Sequence, residues 1–283
     1  MVFVCKLLGG VGVNLFFMLS GFGLYYSVSK YSEKESVNWW TWSKKRLVRL
    51  LPSYLAVSFA YYFLKGELSL YNILQLNFWI DGVRDFWFVP GILVCYLLFP
   101  FIYTASKKWG FGRITFFLLV LLVLGNILFE TYSSQYSKLE IFTWRIPCFV
   151  IGIYFGYLSK VKPKYNEIVV YSVLVVALAL CFIFTGMSRP TFVIGTVCFL
   201  PVLTGAIYAI NKIASPNNLA LEYLGSRSLQ LYLLPVSLVP LVLTMVWKFN
   251  LILYFVITFV LGELLYQLTS LIKVKSKKDE YQK

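Results

Sequence analysis

Apolar residues run along this chain in long blocks, separated by short polar stretches rich in lysine and arginine. Nine blocks can be drawn, over residues 11–28, 47–64, 86–105, 114–129, 141–158, 167–186, 190–210, 229–247 and 251–272. A helix rises about 1.5 Å per residue, so a block of 18 covers roughly 27 Å, close to the thickness of a bilayer's hydrocarbon core. Residues 68–85 mix apolar and polar positions and are expected to lie at the membrane interface rather than to cross. The predicted fold is all-α: a polytopic transmembrane helical bundle, read as a single integral membrane domain over residues 1–283. There is no internal repeat, heptad pattern or low-complexity segment, and the longest hydrophilic stretches are residues 29–46 and the tail after Ile272.

The basic residues order these blocks. Lys30, Lys34, Lys44, Lys45, Arg46 and Arg49 follow the first block, and Lys107, Lys108 and Arg113 the third. Lys160, Lys162 and Lys164 follow the fifth, Lys212 and Arg227 the seventh, and Lys273, Lys275, Lys277, Lys278 and Lys283 the ninth. The opposite side holds only Lys6, Lys65, Arg84, Lys138, Arg189 and Lys248. Positive residues mark the cytoplasmic side, so the odd loops and the C-terminal tail are expected there. Nine spans with a cytoplasmic tail put Met1 outside, and one further helix upstream would make an even ten.

Composition agrees. Hydrophobic residues make up 59 % of the chain and charged residues 13 %, against roughly 25 % charged in a soluble domain. The net charge of +14 reflects the loop lysines and arginines, so no nucleic-acid partner is expected. Cys5, Cys95, Cys148, Cys181 and Cys198 are scattered, mostly in apolar blocks, and read as small core residues. The chain contains no histidine. Without histidine or clustered cysteines, no metal site is expected. No cleavable signal peptide is read at the N-terminus.

Several segments stand out chemically. Asn14 and Ser20 are the polar members of a glycine-rich stretch opening the first block, six positions apart and on opposed helix faces. Small residues there permit close helix packing or allow backbone amides to meet a ligand. Trp39, Trp40 and Trp42 precede Lys44, Lys45, Arg46 and Arg49. The basic run suits either an anionic leaflet or, through Arg46 and Arg49 at i and i+3 on one face, a phosphate. Trp87 has two readings, an aromatic-belt residue or a platform for a sugar. Arg145 lies near the end of a block, where function competes with snorkelling to the headgroups. Glu263 lies deeper in the last block and calls for a partner. Glu222 to Pro235 reads as a Gly-Ser turn leading into a helix that Pro235 kinks.

Together these segments resemble the membrane-bound acyltransferase family 3, which includes bacterial polysaccharide O-acetyltransferases. Residues 10–21 are similar to the family's Gly-Val-Asp/Asn-Leu-Phe-Phe-x-x-Ser-Gly signature, and Lys45-Arg-Leu-Val-Arg-Leu-Leu-Pro to its Arg-x-x-Arg-x-x-Pro segment. Phe86-Trp-Phe-Val-Pro, Arg145-Ile-Pro-Cys-Phe-Val-Ile-Gly and Leu224-Gly-Ser-Arg-Ser-Leu-Gln-Leu-Tyr-Leu resemble later landmarks in the same order.

The resemblance implies ten helices, the first of which this chain lacks. It also implies acyl transfer from cytoplasmic acetyl-CoA or another acyl-CoA to a hydroxyl of an extracytoplasmic sugar or glycan. It carries no bound cofactor. Arg46 and Arg49 would then bind the donor, and Asn14, Ser20, Trp87, Arg145 and Tyr232 would line the acceptor path. Glu263 is the candidate buried carboxylate. A bacterial plasma membrane is the expected location.

The family's histidines have no counterpart here. One would lie upstream of Met1, and Pro235 stands where a second is common, so no catalytic residue is assigned. Taking the alcohol's proton suits an imidazole at neutral pH, and the chain as written is expected to be inactive. Two alternatives stay open. One is a non-catalytic relative that binds acyl-CoA or glycan. The other is a small-solute transporter, for which more mid-membrane charges and a repeat would be expected, and neither is found.

Overall fold

A computed structural model of the chain describes residues 2–29, 37–132, 136–161, 219–236 and 251–281. Among the described residues the regular structure is entirely helical: α1 (Val2–Ser29), α2 (Trp39–Lys65), α3 (Leu70–Ile73), α4 (Leu76–Asp81), α5 (Phe88–Trp109), α6 (Phe111–Tyr132), α7 (Tyr136–Thr143), α8 (Ile146–Val161), α9 (Leu219–Val236) and α10 (Leu251–Tyr281). Among the described residues, three helical stretches are long and apolar enough to cross a membrane: Trp39–Lys65, Phe88–Trp109 and Lys138–Lys160. Shorter apolar stretches lie at Val13–Ser29, Phe111–Asn126 and Val256–Ser270. The all-α membrane bundle expected from the sequence is the fold observed. The predicted blocks 167–186 and 190–210, and the eighth beyond Val236, lie outside the described residues.

The chain divides into two compact units. One comprises Met1–Val37 and Ile92–Asn217, the other Asn38–Gly91 and Asn218–Lys283.

In the first unit, α1 packs along α8. Asn14, Phe17, Met18, Gly21, Leu24, Tyr25 and Val28 form the buried stripe of α1, at the three- and four-residue spacing of a helix face. Cys148, Phe149 and Ile153 answer from α8. Backbones meet where side chains vanish: a Cβ on Gly21 would collide with the Phe149 carbonyl, and one on Gly152 with that of Met18. This is the close approach that the glycine-rich stretch permits. At one end the Lys160 ammonium donates to the Ser29 carbonyl (3.3 Å) and the Ser159 hydroxyl to Tyr26 Oη (2.8 Å). Tyr25, Phe111 and Tyr157 form a ring cluster beside them, Phe111 stacked on Tyr157 at 4.6 Å. Phe101, Phe116 and Leu128 point outward, more than half exposed, as a lipid-facing surface requires.

The fifth predicted block is a broken helix. α7 ends at Thr143, Trp144 and Arg145 form a turn, and α8 resumes with Pro147 in its first turn, where a missing N–H is harmless. Cys95 and Cys148 are buried free thiols, consistent with their reading as core residues.

In the second unit, α2 packs with α9 and α10, and α3 and α4 cover one end of α2. Helix α2 starts eight residues before the predicted block because Asn38 caps it, its Oδ1 accepting from the Thr41 N–H (3.1 Å). It ends at Gly66, whose φ of 73° few other residues tolerate, with the Glu67 N–H reaching back to the Tyr62 carbonyl (3.0 Å).

The α3–α4 segment reverses the usual burial pattern. Leu70 and Leu74 are 75 % and 62 % exposed, while Gln75 and Asn77 are 2 % and 3 % exposed. Leucines outside and amides inside fit a segment lying in the membrane interface, as expected of residues 68–85. The amides donate from Gln75 Nε2 and Asn77 Nδ2 to Tyr62 Oη, both at 3.2 Å. Tyr54 donates its hydroxyl to the Ile73 carbonyl, tying α2 to α3. On the exposed side Tyr71 donates to Asp81 Oδ2 (2.7 Å), a bond that pushes the phenol's pKa up.

Candidate functional site

The residues singled out from the sequence fall in both units. In the first unit Asn14 is buried in the α1 stripe and Ser20 is half-buried on another face of the same helix. Arg145 sits in the turn between α7 and α8, and its guanidinium donates to the Ile141 carbonyl, one of the last acceptors of α7. That bond closes the broken helix, since C-terminal carbonyls otherwise lack donors.

In the second unit, α2 carries Arg46, Arg49 and Ser53 at i, i+3 and i+7, hence on one face. Arg49 is exposed and Arg46 half-buried, with the Arg46 guanidinium 5.6 Å from the Trp42 ring centroid. Trp42 is therefore turned inward (7 % exposed), whereas Trp40 is 80 % exposed and supplies the interfacial anchor. Further along the same face the Gln230 side-chain amide, from α9, donates to Ser53 Oγ at 3.0 Å, both residues being buried. Trp87 is buried, not turned outward as a belt ring would be, and contacts Phe88 (6.4 Å). Phe88 packs in turn on Tyr232 (4.8 Å), so Trp87 and Tyr232, both predicted for the acceptor path, share one aromatic neighbour.

Glu263 has its partner. Arg227 of α9 binds it through two nitrogens, Nε to Oε2 and Nη2 to Oε1 (3.0 Å). The Tyr223 hydroxyl adds a bond to Oε2 (2.8 Å) and Gln267 one to Oε1 (3.1 Å). The guanidinium is also sandwiched between the rings of Tyr223 (3.8 Å) and Tyr266 (4.2 Å). Bidentate pairing and cation–π contacts strengthen each other where water is scarce. Both oxygens of Glu263 are thus occupied.

The expected Gly-Ser turn is corrected here. α9 is helical from Leu219 through Gly225 and Ser226. The Ser226 and Ser228 hydroxyls fold back onto the carbonyls of Tyr223 and Gly225 (2.9 and 3.0 Å), and the continuous helix carries Arg227 to Glu263. The described part of α9 ends at Val236, one residue after Pro235, and a kink beyond it lies outside the described residues. Arg227→Met or Glu263→Gln alone is expected to lower the melting temperature of the detergent-purified protein by several degrees, because each leaves one charge without its partner. The double variant should recover part of that loss, the signature of a coupled pair in a double-mutant cycle.

Sequence reasoning missed Tyr223, Ser53 and Gln230. Arg227 was visible only as a loop cation. The available signal was pairwise: one carboxylate in an apolar block, and one arginine beside another. Among the described residues, no group of three or more histidines, cysteines or acids is placed to hold a metal.

Residues 1–266 match the family described as an acyltransferase domain. Neither a curated protein nor a solved structure matches the chain. The family match runs from α1 into α10, through the glycine-rich stretch, the paired arginines of α2 and the Arg227–Glu263 clamp, and the chain belongs to the membrane-bound acyltransferase 3 family.

Proposed function

We propose that the protein takes an acyl group, acetyl in the simplest case, from cytoplasmic acyl-CoA for transfer to a hydroxyl on an extracytoplasmic sugar or glycan. It works in a bacterial plasma membrane with its C-terminal tail in the cytoplasm. The observation that carries the donor half is the pair Arg46 and Arg49 on one face of α2, beside a basic run and inward-turned Trp42. Two guanidinium groups at that spacing match the phosphates of a coenzyme A nucleotide. Asn14, Ser20, Trp87, Arg145 and Tyr232 serve the acceptor side.

In the transfer, the acceptor oxygen attacks the thioester carbonyl, the carbon–sulfur bond breaks, and the alcohol's proton goes to a base that returns it to the departing thiolate. The chain has no histidine for that proton. Glu263 is a poor substitute, since Arg227, Tyr223 and Gln267 already donate to its two oxygens. General-base catalysis contributes roughly 10²–10⁴-fold, and this 283-residue chain is accordingly expected to be inactive or nearly so.

The test follows labelled acetyl transfer from acetyl-CoA in membranes containing this chain. No turnover above empty membranes is expected. Turnover that Glu263→Gln abolishes would overturn the missing-base reading.

A further inference from the structure

Gln230 is buried to 98 % of its surface, being 2 % exposed, and Ser53 is fully buried. The amide nitrogen of Gln230 donates to Ser53 Oγ, but its carbonyl oxygen, Oε1, is buried and has no hydrogen-bond partner among the described residues. Turning the amide over exchanges its ends and still leaves half of it unmet, because Ser53 is the one hydrogen-bond partner of its side chain among the described residues. A buried amide half without a partner costs on the order of 1–3 kcal/mol. Lipid offers it no donor.

Position narrows what completes it. Ser53 follows Arg49 by four residues and Arg46 by seven, so it lies about 6 Å and about 10 Å further along the helix at 1.5 Å per residue. All three residues share one face. A nucleotide whose phosphates rest on Arg46 and Arg49 would extend its pantetheine arm along that face. The arm carries secondary amides, each offering an N–H and a carbonyl, which meet either orientation of the Gln230 side chain.

We propose that Gln230, oriented by Ser53, is a subsite for an amide of the pantetheine arm of the acyl donor. This rests on the acyl-CoA reading. It assigns Gln230 the role of a binding residue, with Ser53 as the positioning residue that holds its amide.

Two probes separate the possibilities: coenzyme A, and adenosine 3′,5′-bisphosphate, which has the nucleotide phosphates but no arm. Both are titrated against the full chain in nanodiscs. Wild type is expected to bind coenzyme A more tightly than the bisphosphate. Gln230→Met should weaken coenzyme A about tenfold, the worth of one hydrogen bond of about 1.4 kcal/mol, and leave the bisphosphate unchanged. An undiminished preference for coenzyme A in Gln230→Met overturns the subsite while leaving the donor reading intact. Failure of wild type to bind either probe defeats the donor reading and the subsite with it. If Gln230→Met binds neither probe, Ser53→Ala decides. A loss of a few fold confined to coenzyme A supports the subsite, and an unchanged ratio of the two affinities overturns it.

Discussion

Gly152→Ala is expected to destabilise the protein, while Gly23→Ala, on the facing helix of the same unit, stabilises it slightly. In an exposed helix interior, glycine to alanine normally gains up to about 1 kcal/mol. Gly23 has open space where a Cβ would go, so the ordinary gain applies. At Gly152 the added carbon would meet the Met18 carbonyl, and its neighbours there are backbone atoms that cannot swing away. Overpacking of this kind costs typically 1–3 kcal/mol, and backbone opposition puts Gly152→Ala toward the upper end. Gly21→Ala should behave likewise, since its Cβ would meet the Phe149 carbonyl. Thermal denaturation of the three variants in one detergent checks the sign at each position. A Gly152→Ala protein as stable as wild type would show that α1 and α8 are not in backbone contact.

The larger features of this molecule were legible because membrane burial writes itself into sequence as block length. Apart from α3 and α4, the described helices overlap the predicted blocks, and the stretch expected at the interface, residues 68–85, holds those two short helices, Leu70–Ile73 and Leu76–Asp81. Boundaries were less legible. Asn38 lengthens α2 beyond its apolar block, since a cap acts through one side chain that hydropathy does not see. The break at Trp144 and Arg145 had a local cue in Pro147, yet the bond from Arg145 to Ile141 is a matter of geometry. Glu263 was recognised as a carboxylate needing a partner, but Arg227 lay in a stretch whose glycine and serines read as a turn. The segment is helical all the same, with the Ser226 and Ser228 hydroxyls bonded back to carbonyls of their own helix. The Tyr62–Gln75–Asn77 network depends on Gln75 adopting a φ of 57°, which no residue pattern announces.

Replacing both Arg46 and Arg49 with glutamine is expected to weaken coenzyme A binding about a hundredfold. Each charge-assisted hydrogen bond to a phosphate contributes roughly 1.5–3 kcal/mol, and a factor of ten corresponds to about 1.4 kcal/mol. Screening at the exposed Arg49 places its share at the lower end. Neither substitution removes a buried side chain, and α2 keeps its Asn38 cap and Gly66 terminus, so the variant should remain folded. The loss should shrink at high salt, because ions screen the exposed part of the interaction.

Coenzyme A does not cross a sealed bilayer, which gives this binding a side as well as a strength. Its titration against inside-out and right-side-out vesicles bearing wild type and Arg46→Gln/Arg49→Gln decides whether the nucleotide is gripped at the inner rim. Saturable binding to inside-out vesicles alone, lost in the double variant, is the predicted result. Equal binding to both orientations, or binding indifferent to the two arginines, would contradict it.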